Sequence, residues 1–183
     1  MREPMSLHEI VTPFTKPETE WILGRAVRKV SPFRTHGRLQ LALGAALAAW
    51  AYGRGEVATE WRFRIAPRGE IRRPLVPDIS YVAYERLREV DGYDLELPPF
   101  APNVAVEVLS PSSRRSHIDH KIGVYLAGGS ELIIVVDPPL REARLYDADG
   151  ERVVRGEEAI EHAALPGFSL ALPVLFAVLE RPR

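Results

Sequence analysis

Two carboxylate side chains interrupt short apolar runs of the sequence. Asp78 lies in Val76-Pro77-Asp78-Ile79-Ser80, and Glu107 lies within the run 104–109. A carboxylate buried in such a run costs several kcal/mol unless it is neutralised, paired or bound to a metal. If the two runs form neighbouring strands, both carboxylates can reach one hard cation, and Mg²⁺ typically takes one or two carboxylates. The pair therefore predicts a metal site of the kind that acts on phosphate esters.

A lysine on the apolar face of a predicted helix is the third unusual residue. Lys121 follows Ile118 by three positions and precedes Tyr125 by four, so it shares their face of the helix. Only three of the 24 cationic residues are lysines, namely Lys16, Lys29 and Lys121. An inward-facing ammonium in such an arginine-rich chain indicates that this position specifically requires a lysine. It can stabilise negative charge on a phosphoryl group, or orient and deprotonate an attacking water.

Each of these residues also has a purely structural interpretation. Asp78 could be a turn residue after Pro77, Glu107 could pair with an arginine, and Lys121 could extend its ammonium into water. Each alternative carries about even weight when taken singly. Together they explain the three residues less well than one shared site does.

The composition fits one globular domain. The chain has 183 residues, 46% of them hydrophobic and 27% charged, and it has no cysteine, which excludes thiolate metal sites and disulfides. We expect an N-terminal arm over residues 1–20 and a single domain over 21–183. The longest weakly polar stretch, 39–52, is too short to span a bilayer, and no signal pattern is present. We therefore expect a cytoplasmic protein without a membrane segment. The net charge of −1 leaves room only for a local basic groove.

The order of predicted elements indicates an α/β protein with a mixed sheet and helices on its faces. Helical spacing from Leu39 to Trp50 predicts a helix that is capped by Thr35 and ends before Gly53. A second helix is predicted over 116–127, and a short one near 172–179. Alternating or β-branched runs predict strands at 21–30, 57–65, 76–84, 104–109 and 132–136, with a hairpin at 143–146 and 152–154. Residues 31–32 and 68–74 are expected to be turns.

These motifs together resemble the Uma-two family of restriction endonucleases, within the PD-(D/E)XK nuclease class. The resemblance is carried by Val76-Pro77-Asp78, by Val106-Glu107-Val108-Leu109-Ser110-Pro111-Ser112, by Lys121 with Tyr125, and by Val136-Asp137-Pro138. It extends to Leu23-Gly24, to His36 at the start of the first helix, and to the run 165–170. The Glu-Val-Leu-Ser-Pro-Ser run is the most specific of these motifs.

The resemblance implies a restriction-endonuclease-like core and a Mg²⁺-dependent attack of water on a DNA phosphodiester, with Mn²⁺ as a substitute ion. It implies that Asp78, Glu107 and Lys121 are catalytic and that Asp78, Glu107 and Val108 bind the metal. A homodimer acting on DNA is the expected assembly. In the common form of the motif the lysine stands two residues after the glutamate, where this chain has Leu109, so its role passes to Lys121.

The sequence departs from the family pattern at two places. Arg25 and Ala26 follow Gly24, where the family often carries a glutamate, and Glu20 is the candidate for an additional acid. His117 stands four residues before Lys121, where the family tends to carry an aspartate. These changes could weaken a second metal site or orient Lys121 differently.

Other polar residues could add to the site. His36 shares the inward face of the first helix and could contact phosphate or be a core histidine. Arg114 and Arg115 could bind the nucleic-acid backbone, with Arg72 and Arg73 on the same edge, although exposed arginines are as often simply solvated. His117 and His120 lack a third ligand at metal-binding spacing.

Three functions fit these observations. The leading hypothesis is a Mg²⁺-dependent endonuclease. A nuclease-fold module for binding or assembly, without efficient chemistry, is the second hypothesis, because the first-strand glutamate is missing and the net charge is near zero. A hydrolase of a small phosphodiester is the third, and it would lack a salt-sensitive affinity for DNA.

Overall fold

A computed structural model describes residues 9–30 and 32–180, so Ser31 of the expected 31–32 turn lies outside it. The strands are β1 (Thr19–Ile22), β2 (Arg25–Arg28), β3 (Gly55–Thr59), β4 (Phe63–Ile65), β5 (Arg73–Leu75), β6 (Ile79–Ala83), β7 (Val104–Val108), β8 (Leu132–Asp137), β9 (Glu142–Tyr146), β10 (Glu151–Val154), β11 (Ala159–Ile160) and β12 (Leu170–Ala171). The helices are α1 (Arg34–Ala51), α2 (Tyr84–Leu87), α3 (Gly92–Glu96), α4 (Arg115–Ala127) and α5 (Leu172–Ala177).

A six-stranded mixed sheet forms the centre of the protein, which confirms the predicted fold class. Its strand order is β10-β9-β8-β7-β6-β3, and three two-stranded sheets, β1-β2, β4-β5 and β11-β12, lie outside it. Strands β7 and β8 pair in parallel, and the other neighbours in the central sheet pair antiparallel. Helix α4 connects the parallel pair, as a crossover between parallel strands requires.

The two long helices cover opposite faces of this sheet. Leu39, Leu43 and Leu47 of α1 pack in one apolar cluster, and Ile122 and Tyr125 of α4 pack in another. Alternate residues of β7 divide between the two clusters, because neighbouring side chains of a strand point to opposite faces. The even-numbered residues of β7 face α1, and the odd-numbered residues, including Glu107, face α4.

The two predicted long helices are present, with one error at a helix start. Helix α1 begins at Arg34 with Phe33 in the N-cap position, so the prediction of Thr35 as the cap was wrong. Helix α4 begins one residue before its predicted start. The predicted hairpin around residues 147–150 is also present, as β9 and β10.

The predicted single strand over 21–30 is a hairpin instead. Strands β1 and β2 pair from Thr19↔Arg28 to Ile22↔Arg25, and Leu23 and Gly24 form the turn with φ of 49° and 77°. Two successive residues with positive φ are typical of the tight turns that join twisted antiparallel strands. The turn carries Lys29 back along β1, which places it near Glu20.

Two further predictions about strands were wrong. The expected strand over 57–65 breaks at Glu60, whose φ is 51°, into β3 of the central sheet and β4 of a separate pair. Residues 73–75 form β5, although 68–74 was expected to be only a turn. The loop that follows β6 contains the two short helices α2 and α3.

The expected division between arm and domain falls inside β1, which begins at Thr19. The preceding residues pack on the domain, because Thr12 is only 3% exposed and its hydroxyl accepts a hydrogen bond from Arg62 at 2.9 Å. Within residues 9–30 and 32–180, no helix has the length and apolar character needed to cross a bilayer.

Candidate active site

The acidic and basic residues of the site come from five parts of the fold. Glu20 lies in β1, Lys29 follows β2, Asp78 immediately precedes β6, Glu107 lies in β7 and Lys121 lies in α4. All five line one cleft of about 510 Å³. Glu20, Asp78, Glu107 and Lys121 are buried, with 3–4% of each residue exposed. The cleft therefore holds charges that must neutralise one another.

Asp78 and Glu107 lie together at the end of the β6–β7 pairing. The register ends with Ile79 opposite Val106, and the Asp78 N–H donates to Val106 O at 3.0 Å. Both carboxylates line the same cleft. The two carboxylates that the sequence singled out therefore belong to one site.

Asp78 is held by three different donors. Lys29 Nζ lies 2.7 Å from Oδ1, while Oδ2 accepts from the Val108 N–H at 2.8 Å and from His36 Nε2 at 3.0 Å. Burial favours the neutral acid, but the Lys29 charge and the hydrogen bond from His36 outweigh it and hold the pKa of Asp78 well below its usual range. Asp78 is therefore a carboxylate at every physiological pH.

The pKa of Glu107 is shifted in the opposite direction. Its Oε1 accepts from Lys121 Nζ at 2.6 Å and from the Tyr125 hydroxyl at 3.0 Å. Burial raises the pKa of Glu107 to about 7, the charge of Lys121 opposes the rise, and the nearby Asp78 and Glu20 add to it. The two carboxyls thus differ widely in acidity, because Asp78 has more donors around it than Glu107 has.

Lys121 joins the carboxylates of two different sheets. Its ammonium lies 2.8 Å from Glu20 Oε1, 2.6 Å from Glu107 Oε1 and 3.4 Å from Val76 O. Burial disfavours the charged form, but the charges of Glu107 and Glu20 outweigh this and raise the pKa of Lys121. The amine therefore stays protonated and can donate hydrogen bonds, but it cannot accept a proton from water.

Glu20, the candidate for the additional acid, is part of the cluster. Besides its contact with Lys121, its Oε1 accepts from the Val76 N–H at 2.8 Å. That bond ties β1 to the segment that carries Asp78. The family position after Gly24 is occupied here by Arg25 in β2, and β1 supplies the carboxylate from the neighbouring strand.

Lys29 is the residue that our sequence reasoning missed. Its ammonium contacts Asp78 Oδ1 and donates to Val76 O at 3.0 Å, and 15% of its side chain is exposed. Burial opposes the charge, but Asp78, Glu20 and Glu107 raise the pKa of Lys29. The scarcity of lysine, which drew attention to Lys121, applied equally to Lys29. The prediction of a single strand over 21–30 gave no reason to place Lys29 near Asp78.

His36 lies on the inward face of α1, as expected, and contacts Asp78 rather than open solvent. It is 9% exposed, and its Nδ1 is buried with no hydrogen-bond partner among the described residues. Gln40, one turn further along α1, donates to the main-chain oxygen of Asp78 at 2.7 Å. Helix α1 therefore fixes both the side chain and the backbone of Asp78.

The rim of the cleft is basic. Arg25, Arg28 and Arg114 line it together with the two lysines, against the three carboxylates. With the histidines neutral, these five cations and three carboxylates give the lining an excess of two positive charges, although the whole chain carries a net charge of −1. The local basic groove that the composition allowed is present around the acidic cluster.

Three of the expected basic residues lie outside the cleft. Arg115 points away from the cleft and pairs with Asp119 at 2.8 Å, one turn along α4. Arg73 pairs with Glu70, and Arg72 lies 3.7 Å from Glu9. These arginines have acidic partners and do not line the cleft with Arg114, so their contact with a nucleic-acid backbone stays a prediction.

The two histidines of α4 diverge as well. His117 lines the cleft and lies 3.5 Å from Arg25, whereas His120 does not line it. Burial lowers the pKa of both residues, which keeps them neutral near pH 7. They do not form a paired metal site.

The donor atoms of the site suit a hard cation. No group of three or more His, Asp or Glu side chains placed to hold a metal occurs in ranges 9–30 and 32–180. Two carboxylates are nevertheless the set that Mg²⁺ commonly uses, with water completing its shell. The hydrogen bonds to Glu107 from described residues all go to Oε1, so Oε2 keeps its lone pairs for a ligand.

The charge of the cluster agrees with this. With Glu107 ionised and His36 counted as neutral, three carboxylates and two ammonium groups sum to −1, so the cluster lacks positive charge. A divalent cation would change the sum to +1, which matches a phosphodiester of charge −1. Residues Asp78 and Glu107 therefore fit a magnesium ion, with the main chain of Val108 beside them.

Comparison with known proteins agrees with this fold. A family model described as "Uma2: Putative restriction endonuclease" matches residues 8–173. A solved structure described as a putative nuclease belonging to DUF820 from Anabaena variabilis superposes with a TM-score of 0.81. The two sequences are 21% identical, and the match covers 92% of this chain and 95% of the other. That likeness shows a shared fold. No curated protein matches this chain.

Proposed function

This chain belongs to the Uma2 family, as its motifs predicted, and on that premise we propose that it is a Mg²⁺-dependent endonuclease that hydrolyses DNA phosphodiester bonds. The observation that carries the proposal is the cluster of Asp78, Glu107 and Lys121 in one cleft with a basic rim, with the Lys121 ammonium bound to Glu107. The same three residues stood out in the sequence for independent reasons.

Asp78 and Glu107, with the main chain of Val108, would hold the metal. When bound, such an ion supplies Lewis-acid polarisation of a phosphoryl oxygen and a water of lowered pKa. The permanent charge of Asp78 anchors the site, since three donors keep it ionised. His36 and Gln40 keep that carboxylate oriented from α1.

Lys121 acts as a fixed cation. Its raised pKa excludes the role of general base, so its contribution is to donate hydrogen bonds to an oxygen that gains charge in the transition state. Glu20 and Glu107 hold the ammonium in place beforehand, which spares the cost of ordering a flexible side chain during the reaction.

The basic rim supports a polyanionic substrate. Arg25, Arg28 and Arg114 lie at the cleft and can each contact a backbone phosphate. Cleavage of both strands of a duplex requires two sites, so the proposal includes a homodimer. Hydrolysis of a small phosphodiester would not require this set of arginines.

A plasmid cleavage assay with Mg²⁺ or Mn²⁺ tests the proposal. We expect Asp78→Asn and Glu107→Gln to abolish cleavage and Lys121→Met to slow it by about 10²–10³-fold. Glu142→Gln is the matched control, since Glu142 is a carboxylate with the same 4% exposure that lies outside the cleft. Equal activity of the wild type and the three site variants would disprove the assignment.

A binding or assembly module is the second candidate. The observation in its favour is that each carboxylate of the cluster already contacts a lysine, so the site is nearly neutral without a metal. This candidate predicts salt-dependent DNA binding that the substitutions at Asp78 and Glu107 leave intact, with no cleavage by the wild type in either metal.

A further inference from the structure

Lys29 occupies the position from which a metal would neutralise Asp78. We propose that Lys29 is a displaceable counter-ion of Asp78, which leaves the carboxylate when a divalent cation binds and thereby sets the metal affinity. The inference rests on the proposed metal site, but it concerns a residue outside the family motif. It assigns Lys29 a positioning role distinct from that of Lys121.

The contacts of Asp78 show which oxygen is contested. Oδ2 accepts from the Val108 N–H and from His36, and both donors are held by elements of the fold. Oδ1 faces Lys29 at 2.7 Å, and no other described residue bonds to it. A cation that binds Asp78 through its accessible oxygen therefore meets the Lys29 ammonium at close range.

Repulsion between the two cations makes them compete. A unit charge and a divalent charge cannot share one carboxylate oxygen without a penalty that grows in a buried setting. Glu20 and Glu107 attract both cations, but they contact Lys121, and among the described residues Asp78 is the carboxylate that contacts Lys29 directly. One of the two cations must move away from Asp78.

Lys29 is the lysine that can move. Its side chain is 15% exposed and has one carboxylate partner, whereas the Lys121 side chain is 4% exposed and lies between two carboxylates. A lysine has a flexible four-carbon stem, so its ammonium can leave Asp78 and enter the water of the cleft while its backbone stays in place. There it remains near any bound phosphate.

The test measures metal binding without any reaction. Mn²⁺ is titrated into wild type, Lys29→Met and Lys16→Met, and free Mn²⁺ is followed by electron paramagnetic resonance. Lys16→Met is the matched control, since the Lys16 side chain is 72% exposed and pairs with Glu18 and Glu60 away from the cleft. Methionine keeps the length and apolar stem of lysine and removes the charge.

We expect Lys29→Met to bind Mn²⁺ about tenfold more tightly than wild type, because one nearby charge shifts the proton affinity of a carboxylate by about 1–3 pH units. Lys16→Met should match wild type. Unchanged or weaker binding by a folded Lys29→Met would overturn the inference and leave the nuclease proposal standing. Absence of binding by both proteins would overturn both. Tighter binding without any cleavage would support the inference and refute the nuclease.

A measurement on the wild-type protein covers the case in which Lys29→Met does not fold. The chain has only three lysines, so the ¹⁵N spectrum of side-chain ammonium groups is simple. Saturation with Mg²⁺ should broaden the Lys29 signal through faster proton exchange and leave the Lys16 signal unchanged. A Lys29 signal that keeps its position and width at saturating Mg²⁺ would refute displacement.

Discussion

Replacing Glu107 with glutamine should make the metal-free protein more stable at alkaline pH. Glu107 is buried and its pKa is raised to about 7 by that burial, against the attraction of Lys121. A glutamine of nearly the same shape removes the ionisation and keeps an oxygen that can accept from Lys121 and Tyr125. The cost of ionising a buried carboxyl therefore disappears with the substitution.

The size and sign of the effect follow from the two pKa values. The folded pKa of about 7 lies about 2.5 pH units above the ordinary 4.5, and each unit corresponds to about 1.36 kcal/mol. Between these two values the folded state retains a proton that the unfolded chain has released, so the stability of wild type falls as pH rises. Glutamine has no such proton. The free energy of unfolding of Glu107→Gln should gain about 3 kcal/mol relative to wild type between pH 5 and pH 8.5.

Thermal unfolding in a chelating buffer measures this difference. For a chain of this size about 1 kcal/mol corresponds to about 2–4 °C in Tm, so the gap between the two proteins should widen by about 6–12 °C across the range. Chelation is essential, because a metal bound to ionised Glu107 would stabilise wild type and mask the effect.

Glu142→Gln provides the control with the opposite sign. Glu142 is 4% exposed like Glu107, but hydrogen bonds from Arg155 and Arg144, each at 2.8 Å, outweigh its burial and lower its pKa. Its ionised form is favoured, so the substitution should destabilise the protein at neutral pH and less in acid. A gap between Glu107→Gln and wild type that stays flat or narrows from pH 5 to pH 8.5 would refute the reasoning.

Two further substitutions test other parts of the site. Tyr125→Phe removes the hydroxyl that donates to Glu107 Oε1 at 3.0 Å, and urea unfolding at pH 8.5 should show that the free energy of unfolding falls by about 1.5–3 kcal/mol. Tyr81→Phe is the control. Its hydroxyl donates to Arg54 O at 3.4 Å, and its removal should lower the free energy of unfolding by less. Arg114→Ala should weaken DNA binding and reduce the slope of log K against log salt by about 0.9, whereas Arg115→Ala, outside the cleft, should leave that slope unchanged.

The parts of the fold that local patterns describe were predictable. Helices α1 and α4 carry apolar residues at helical spacing, β7 and β8 are continuous apolar runs, and the turn between β9 and β10 contains Asp147 and Gly150. These elements have hydrophobic faces that dominate their packing, so neighbouring residues in the sequence determine them. The mixed sheet followed from their order along the chain.

The errors occurred where one backbone torsion or one distant partner decides the structure. Leu23 and Gly24 turn a presumed strand into a hairpin, and Glu60 divides another between two sheets, through local φ values that composition does not reveal. The sequence also did not distinguish Arg115, which pairs with Asp119, from Arg114, which lines the cleft. The alternative conformations at these positions differ little in free energy, and no periodic pattern in the sequence distinguishes them.

Within the site, buried charge was predictable and its partners were not. Asp78, Glu107 and Lys121 were noticeable because each lies among apolar neighbours. Lys29 and Glu20 are 49 and 87 residues distant in sequence from Asp78 and Glu107, and only the folded hairpin brings them into the cluster. The spacing of residues in the sequence does not predict that Lys29 and Glu20 contact the other site residues.

The β1–β2 hairpin carries the entire positive excess of the cleft. The hairpin and the residue that follows it supply the positive charges of Arg25, Arg28 and Lys29 and the negative charge of Glu20, which sum to +2. The charges of the other lining residues, Asp78, Glu107, Lys121 and Arg114, sum to zero. A two-stranded hairpin is marginally stable alone and relies on what it packs against. If the cleft binds a nucleic acid as proposed, that binding and the packing of this hairpin are thermodynamically linked: the bound polyanion would stabilise the packed hairpin, and a displaced hairpin would leave a cleft with no net attraction for it.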